Sequence, residues 1–319
     1  ALSNLGLFNP PLKGSANPAL VNPYDDSRPV ERRARSYLHA NCGHCHRLHA
    51  GSAVLAYMHH DINLATTRML DSKPTQGTFG IPEARIIAPG DPLRSVLFLR
   101  VSKLGRGRMP HIGSELVDAP GVSLLRDWIS GLEGNNTPIA RLSNAQRRSR
   151  LQPFVDANQL EHSRQPPSVD LLTRALASTS TALHLQSRLD APGNAFTGTN
   201  RRMVIQQAVT HDDITIRDLF ERFLPESQRV KRLGNVIRPA ALLALKGDAR
   251  TGRMLFQKSQ AVQCRNCHRV ANTGKALGPD LDGIGKKYSL RELLDQVLNP
   301  SRKIDPKFLT YVVETTAGR

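Results

Sequence analysis

Apolar residues recur at helical spacing over much of the chain. A spacing of three and four positions places such residues on one face of a helix. Helices are therefore predicted in five segments: 31–38, 122–129, 169–189, 201–224 and 247–256. The segment 122–129 contains the only tryptophan, Trp128, and we expect it to pack on the helix at 31–38. The protein is thus predicted to be mostly α-helical.

Two segments depart from this pattern. Residues 147–168 are polar and contain prolines, which predicts a connector between helices. Residues 308–319 alternate between apolar and polar positions, which predicts a strand, and they stop at Gly-Arg as a hairpin cut at its turn would. We therefore expect the last domain to be incomplete at its C-terminus.

Length and composition limit the function classes. The 319 residues are enough for two or three domains, and 39% hydrophobic with 22% charged residues is typical of a folded protein. No apolar run approaches the roughly 18 residues that a membrane span requires. The net charge of +17 favours acidic partners. Nucleic acid is not expected as a partner, because aromatic residues are only 5%, basic residues are scattered and no nucleic-acid-binding motif is present.

All four cysteines lie in two copies of one pattern, Cys42-Gly43-His44-Cys45-His46 and Cys264-Arg265-Asn266-Cys267-His268. Two thiols three positions apart can each add across one vinyl group of a haem, and the adjacent histidine can bind the iron. The sequence therefore predicts two covalently attached haem c groups. The expected attachment residues are Cys42, Cys45, Cys264 and Cys267, and the expected iron ligands are His46 and His268.

Two other uses of paired cysteines fit less well. A thioredoxin-like redox pair needs one such motif in a βαβ setting and does not need the trailing histidine twice. A four-cysteine zinc site usually brings its two pairs within about 15 to 20 residues, whereas Cys42 and Cys264 are far apart in the chain. Covalent haem attachment remains the favoured interpretation.

The surroundings of the second motif resemble class I c-type cytochromes. Gly252 and Phe256 lie four positions apart in the preceding helix, and the motif is followed by Leu277-Gly278-Pro279-Asp280-Leu281. In class I cytochromes the proline carbonyl of such a loop holds the ligating histidine. The resemblance therefore implies that Pro279 orients His268 and tunes its iron.

The first motif resembles the same family in another respect. Tyr37 takes the aromatic position of the preceding helix, and Met109 follows His46 by 63 residues and is followed by proline. In class I cytochromes a methionine at about that distance is the second iron ligand, which implies Met109 as the distal ligand. A core or loop methionine is the alternative. Rival ligands are His111, Met58, His59 and His60, while His44 is expected to be exposed.

The distal ligand of the second haem is an open question. No methionine or histidine follows His268. Three explanations compete: the native chain continues beyond Arg319; another group, such as Lys286, Lys287, Tyr288 or a histidine of the middle segment, binds the iron; or the iron has five ligands.

A wider resemblance covers most of residues 25–319. The phrases around both motifs, including "IIAPGDPLRSVLFLR" and "LDQVLNPSRKID", look like the haem-binding CxxCH proteins typical of planctomycetes. In those proteins, cytochrome domains commonly follow a large catalytic or propeller-like portion. The resemblance implies a bacterial protein that is periplasmic or otherwise exported, and a native chain that begins before Ala1.

These observations predict two class I cytochrome c-like domains joined by a helical linker. The predicted parts are an extended lead-in (1–30), a first cytochrome c domain (31–135), a helical connector (136–246) and a second cytochrome c domain (247–319). No catalytic residues are predicted.

The predicted function is a dihaem cytochrome that relays single electrons between a redox enzyme or domain and an acceptor. Its redox partner is expected to be acidic at the contact, and a fused or associated dehydrogenase is possible. One alternative is a dihaem peroxidase-like enzyme whose second haem keeps an open site. Another is the electron-transfer tail of a larger dehydrogenase. An electron-transfer protein is favoured over an enzyme because no distal acid and base can be named.

Overall fold

A computed structural model describes residues 19–48, 54–111, 116–133, 144–230, 237–258, 264–299, 302 and 305–308, with side chains in the fourth range described from 151. The chain forms two compact units, Ala1–Val230 and Lys231–Arg319. Parts of the lead-in (1–18), the start of the predicted connector (136–143) and the predicted C-terminal strand (309–319) lie outside the described residues.

The described helices confirm the prediction of a mostly α-helical protein. In the first unit they are α1 (Val30–Cys42), α2 (Val96–Ser102), α3 (Ala119–Gly131), α4 (Asn144–His162), α5 (Val169–Ala175), α6 (Thr179–Asp190), α7 (Gly198–Val209) and α8 (Ile214–Phe220). In the second unit they are α9 (Pro239–Leu243), α10 (Ala249–Lys258), α11 (Ile284–Lys287) and α12 (Leu290–Leu298). Short 3₁₀ turns lie at Leu64–Thr66, Pro92–Arg94, Glu221–Phe223, Glu226–Gln228, Cys264–Asn266 and Pro306–Phe308.

Helices α1 and α3 pack against each other, as the apolar spacing predicts. Trp128 and Leu125 of α3 and Leu38 of α1 are buried in the core. The contact is close because α3 has a glycine where it meets an aromatic ring. A Cβ atom on Gly121 would come within 2.5 Å of ring atoms of Tyr37. The packing of α1 and α3 fixes the position of Cys42, the first cysteine of the first motif, because Cys42 is the last residue of α1.

The prediction of a polar connector at 147–168 is wrong for most of its length, because α4 extends to His162. The buried positions of this helix include two acidic residues, which arginines from α5 and α6 neutralise. Arg188 donates two hydrogen bonds of 2.7 Å to Glu161. Arg174 donates one of 2.9 Å to Asp156. Acidic side chains therefore occupy core positions, and the apolar pattern that identifies an amphipathic helix is missing.

The middle helices pack on the haem-motif part of the first unit. Lys103, at the end of α2, donates a 2.8 Å hydrogen bond to Asp218 of α8, and both side chains are buried. Thr179 and Ser180 of α6 donate to the carbonyls of Phe79 and Leu93. Residues of the predicted connector up to Val230 thus belong to the same compact unit as the first motif.

The second unit is smaller. Helix α9 packs against α12, and α10 contacts the turn at Cys264–Asn266. Strands β1 (Arg269–Val270) and β2 (Thr273–Gly274) form an antiparallel hairpin directly after the second motif. The domain boundaries proposed from the sequence stay a prediction. Among the described helices of the whole chain, none has the length and apolar character needed to cross a membrane.

Candidate haem sites

Both cysteine motifs fold into the same turn. In the first motif, the amides of Cys45 and His46 donate to the Cys42 carbonyl at 3.1 and 2.8 Å. In the second, the amides of Cys267 and His268 donate to the Cys264 carbonyl at 3.2 and 2.9 Å. One carbonyl that accepts from the third and fourth following residues closes a single helical turn. The two motifs therefore have the same backbone arrangement of two cysteines and one histidine.

The cysteines of the first motif differ in exposure. Cys42 is buried at the end of α1, and Cys45 is exposed. Burial raises the pKa of the Cys42 thiol to about 12, and the neighbouring Cys45 acts in the same direction. A nucleophilic redox cysteine needs a lowered pKa, so this environment is unlike that of a thioredoxin-type site. Cys264 is half-buried and Cys267 is exposed.

His46 has a buried ring nitrogen, Nδ1. The backbone of Ala56 lies near the ring, and the backbone carbonyl of His46 accepts from the Met58 amide at 2.9 Å. Burial lowers the pKa of His46; the backbone of Ala56 opposes this shift, and Arg100 and His111 add to it. The neutral imidazole that results at pH 7 is the form that binds a metal ion.

His268 has a backbone partner for its ring. Its Nδ1 lies 2.8 Å from the carbonyl oxygen of Pro279. The loop that carries Pro279 is fixed on the hairpin, because Arg269 donates hydrogen bonds of 2.6 and 2.8 Å to Asp280. The Leu281 amide also donates to the Arg269 carbonyl at 2.9 Å. If Nδ1 donates to Pro279, Nε2 of His268 is left with its lone pair for a metal ion.

The loop at 105–109, which carries Met109, is bound to Arg100. The Met109 amide donates to the Arg100 carbonyl at 3.1 Å, and the Arg100 guanidinium donates to the Gly107 carbonyl at 2.7 Å. Arg100 is also one of the charges that lower the pKa of His46. Met109 is half-buried, and its peptide bond to Pro110 is cis. Arg100 thus holds the loop in place through hydrogen bonds. No motif in the sequence predicts this role.

The glycines of this loop have positive φ angles, +71° at Gly105 and +77° at Gly107. L side chains rarely adopt such angles. A Cβ atom at Gly105 would also lie 2.4 Å from carboxylate oxygens of Asp218, and one at Gly107 would lie 2.6 Å from the Phe79 ring. The phrase "GRGRMP" is therefore explained by the backbone that it must form against Asp218 and Phe79.

The remaining predicted ligands lie in different settings. Met58 is buried in the core of the first unit, and His44 is exposed. His59 and His60 lie together beside α1, where they contact His39, a residue that the motif analysis did not single out. Lys287 lies 5.2 Å from the ring centre of Tyr288. In the described part of the chain, the hydrogen bond of the His268 ring goes to the Pro279 backbone, and none joins it to a methionine or histidine.

The second unit exposes many of its large apolar side chains. None of its described residues is buried, and the exposed ones include Met254, Leu255, Leu277, Leu290 and Val297. Exposed apolar surface of this kind marks a binding site for an apolar group or a partner. A haem macrocycle is an apolar group of the kind that such side chains can cover.

The chain is similar to a cytochrome c-553-like protein of Synechocystis sp., with 37% identity over 67 residues. The match covers 21% of this chain and 59% of that protein, so the chain spans less than two thirds of the relative's length. No protein-family model and no solved structure matches the chain. The similarity supports a c-type cytochrome with covalently bound haem c.

Proposed function

We propose that this chain is a dihaem c-type cytochrome that relays single electrons between a redox enzyme or domain and an acceptor. The observation that carries the proposal is the repeated turn, in which each motif arranges two cysteines and one histidine in the same way. One haem c is expected in each unit. The cytochrome domains are proposed at 31–135 and 247–319, with the helices between them as a connector.

The chain's residues have distinct parts in this function. The thiols of Cys42, Cys45, Cys264 and Cys267 would hold the haems covalently, each by addition to a vinyl group. His46 and His268 would bind the irons, and Met109 would be the second ligand of the first iron. When bound, haem c supplies an iron that carries one electron at a time.

The two histidines are held differently, and this affects the electron affinity of each iron. His268 has the Pro279 carbonyl as a partner for Nδ1, which increases the basicity of its ring. His46 lies in a different setting, since its Nδ1 atom is buried and the backbone near its ring is that of Ala56. We therefore expect two different reduction potentials, which favours a directed transfer of electrons between the haems or to different partners.

The proposed setting is an exported bacterial protein whose redox partner is acidic at the contact. The net charge of +17 supports an acidic partner, because opposite charges speed encounter. A dehydrogenase that is fused to the chain or binds it is a proposed electron donor.

The test combines redox titration with optical spectra of the oxidised, reduced and carbon monoxide-treated protein. We expect two one-electron waves, and carbon monoxide binding at the first haem only after Met109→Ala. Met203→Ala, a methionine of α7, is the matched control. If both variants bind carbon monoxide equally, Met109 is not the ligand.

A second candidate function is a peroxidase-like enzyme. It is favoured by the composition of residues 269–319, none of which is a methionine or histidine that could bind the second iron. Rapid carbon monoxide binding by the wild type together with peroxide turnover would establish the enzyme and overturn the relay. Carbon monoxide binding without turnover would leave an electron-transfer protein whose second iron has five ligands.

A further inference from the structure

A cluster of metal-ligating side chains lies outside both haem motifs. It consists of His39 on α1 and the adjacent residues His60 and Asp61, which lie on the chain after Met58. One ligand atom from each residue lies within 4.8 Å of the others. The haem proposal gives these three side chains no role.

The spacing of the two imidazoles fits a shared ion. Nδ1 of His39 lies 3.1 Å from Nδ1 of His60. Two nitrogens bound to one ion at 2.0–2.1 Å are about 3.3 Å apart at the tetrahedral angle and about 2.9 Å apart at a right angle. The observed separation falls between these values, so an ion could bind both nitrogens without movement of the backbone.

The chain on which His60 and Asp61 lie is fixed against α1. Arg35 of α1 donates hydrogen bonds to the carbonyls of His59 and Ile62, on either side of these two residues. Nε2 of His59 lies 3.2 Å from the Gly43 carbonyl, and the His59 ring lies 4.6 Å from that of His39. The ligands come from two elements that are already joined, so little ordering is needed on binding.

We propose that His39, His60 and Asp61 form a binding site for a divalent transition-metal ion such as Zn²⁺. Two imidazoles and one carboxylate are a common three-ligand set for this ion, and water completes the coordination. Neutral imidazole is required at His39, and burial together with the neighbouring His59 and His60 lowers its pKa.

Two local changes accompany binding. The His60 amide donates a 3.2 Å hydrogen bond to Nδ1 of His39, and the ion replaces this donor. The Asp61 side chain is exposed and rotates inward to reach the ion.

The positive charge of Arg35 is offset by Glu31, 3.6 Å away on the same helix. His59, whose Nδ1 lies 4.0 Å from Asp61, helps to place the carboxylate.

The site adjoins the first haem motif through His59 and the Gly43 carbonyl. Gly43 lies between the two cysteines of that motif. A positive ion held at this place raises the reduction potential of a nearby iron, because it disfavours the more positive oxidised form. The proposed ion thus offers a means of tuning the first haem.

The test is a titration of the purified holoprotein with Zn²⁺ in competition with a chromophoric chelator, with haem measured in every sample. We expect one Zn²⁺ ion to bind per chain. His60→Ala and Asp61→Asn should each weaken the binding about tenfold or more, because loss of even an outer-shell partner of a metal ligand costs about 10–100-fold. His162→Ala, which removes an exposed histidine of α4, should leave it unchanged.

His39→Gln is the variant for α1, because it keeps a polar side chain at a half-buried position. Circular dichroism shows whether each variant is folded, and His60→Ala keeps the test decisive if the helix variant unfolds. Zinc binding of equal strength in wild type and His60→Ala would overturn the site, as would an absence of binding by the wild type. Haem content that is unchanged in the variants separates this result from a failure of haem attachment.

Discussion

The carbonyl oxygen of Pro279 lies 2.8 Å from Nδ1 of His268. Eleven positions of chain separate the two residues, and the β1–β2 hairpin between them brings the loop back to the histidine. The ring is thereby oriented by the backbone of its own domain. Because a proline carbonyl cannot be removed by side-chain substitution, its effect must be tested by displacing the ring.

Gly278→Ala should displace His268. A Cβ atom at this position would lie 2.9 Å from Cε1 and 3.1 Å from Nδ1 of the His268 ring. We expect the reduction potential of one haem to shift, or its occupancy to fall, while the other haem is unchanged. Gly285→Ala is the control, since a Cβ atom there meets nothing within 4 Å. Redox titration with optical detection measures the reduction potential and the occupancy of each haem. If Gly278→Ala and Gly285→Ala give the same values, Pro279 does not orient His268.

Gly121→Ala should destabilise the first unit by about 1–3 kcal/mol, the usual cost of overpacking a core. The added methyl group would meet the Tyr37 ring where α1 and α3 cross. Gly131→Ala in the same helix has open space and should be neutral or slightly stabilising. Urea unfolding measures the free energies of both. A close approach at Tyr37 is disproved if the two variants are equally stable.

The buried ion pair of Lys103 and Asp218 should be sensitive to loss of one partner. The side chains are almost inaccessible, with the residues 1% and 5% exposed. Asp218→Asn and Lys103→Met should each cost about 3–5 kcal/mol of unfolding free energy, since each leaves a buried charge without its counterion. The double variant should recover part of the loss. Arg28→Ala is the control, because it removes only the exposed ion pair of Arg28 with Asp25 and should not change the free energy of unfolding measurably. If the losses of the two single variants add strictly in the double variant, Lys103 and Asp218 are not paired.

Stability should depend on pH through Glu161. Hydrogen bonds from Arg188 hold the pKa of this carboxyl below its usual value. A lowered pKa in the folded state stabilises the protein above the unfolded value of about 4.3 and ceases to do so as pH falls through the folded value. The stability difference between wild type and Glu161→Gln should therefore be largest above about pH 5. Urea unfolding from pH 3 to 7 measures it, and a difference that is constant over that range would refute the assignment.

Local patterns predicted the helices that have one apolar face. The apolar residues of α1 and α3 recur every three or four positions, as an amphipathic helix requires, and the packing of the two helices was predicted from this spacing. The turn at each cysteine motif also depends only on neighbouring residues. These parts of the fold are encoded within short stretches of sequence.

Long-range partners could not be predicted in this way. Helix α4 buries Asp156 and Glu161, and it is stable because arginines far along the chain neutralise them. The pairing of Lys103 with Asp218 has no local signature either. The cluster of His39 and His60 forms only when the chain after the first motif folds back on α1, so the two residues lie far apart in the sequence.

The most direct test of the central claim is the number of covalent haems per chain. It is measured by the alkaline pyridine spectrum and by the intact mass of the protein. Wild type should carry two haems, and the Cys42→Ala/Cys45→Ala and Cys264→Ala/Cys267→Ala variants one each. A wild-type chain without covalent haem, produced where c-type cytochromes mature normally, would contradict the account.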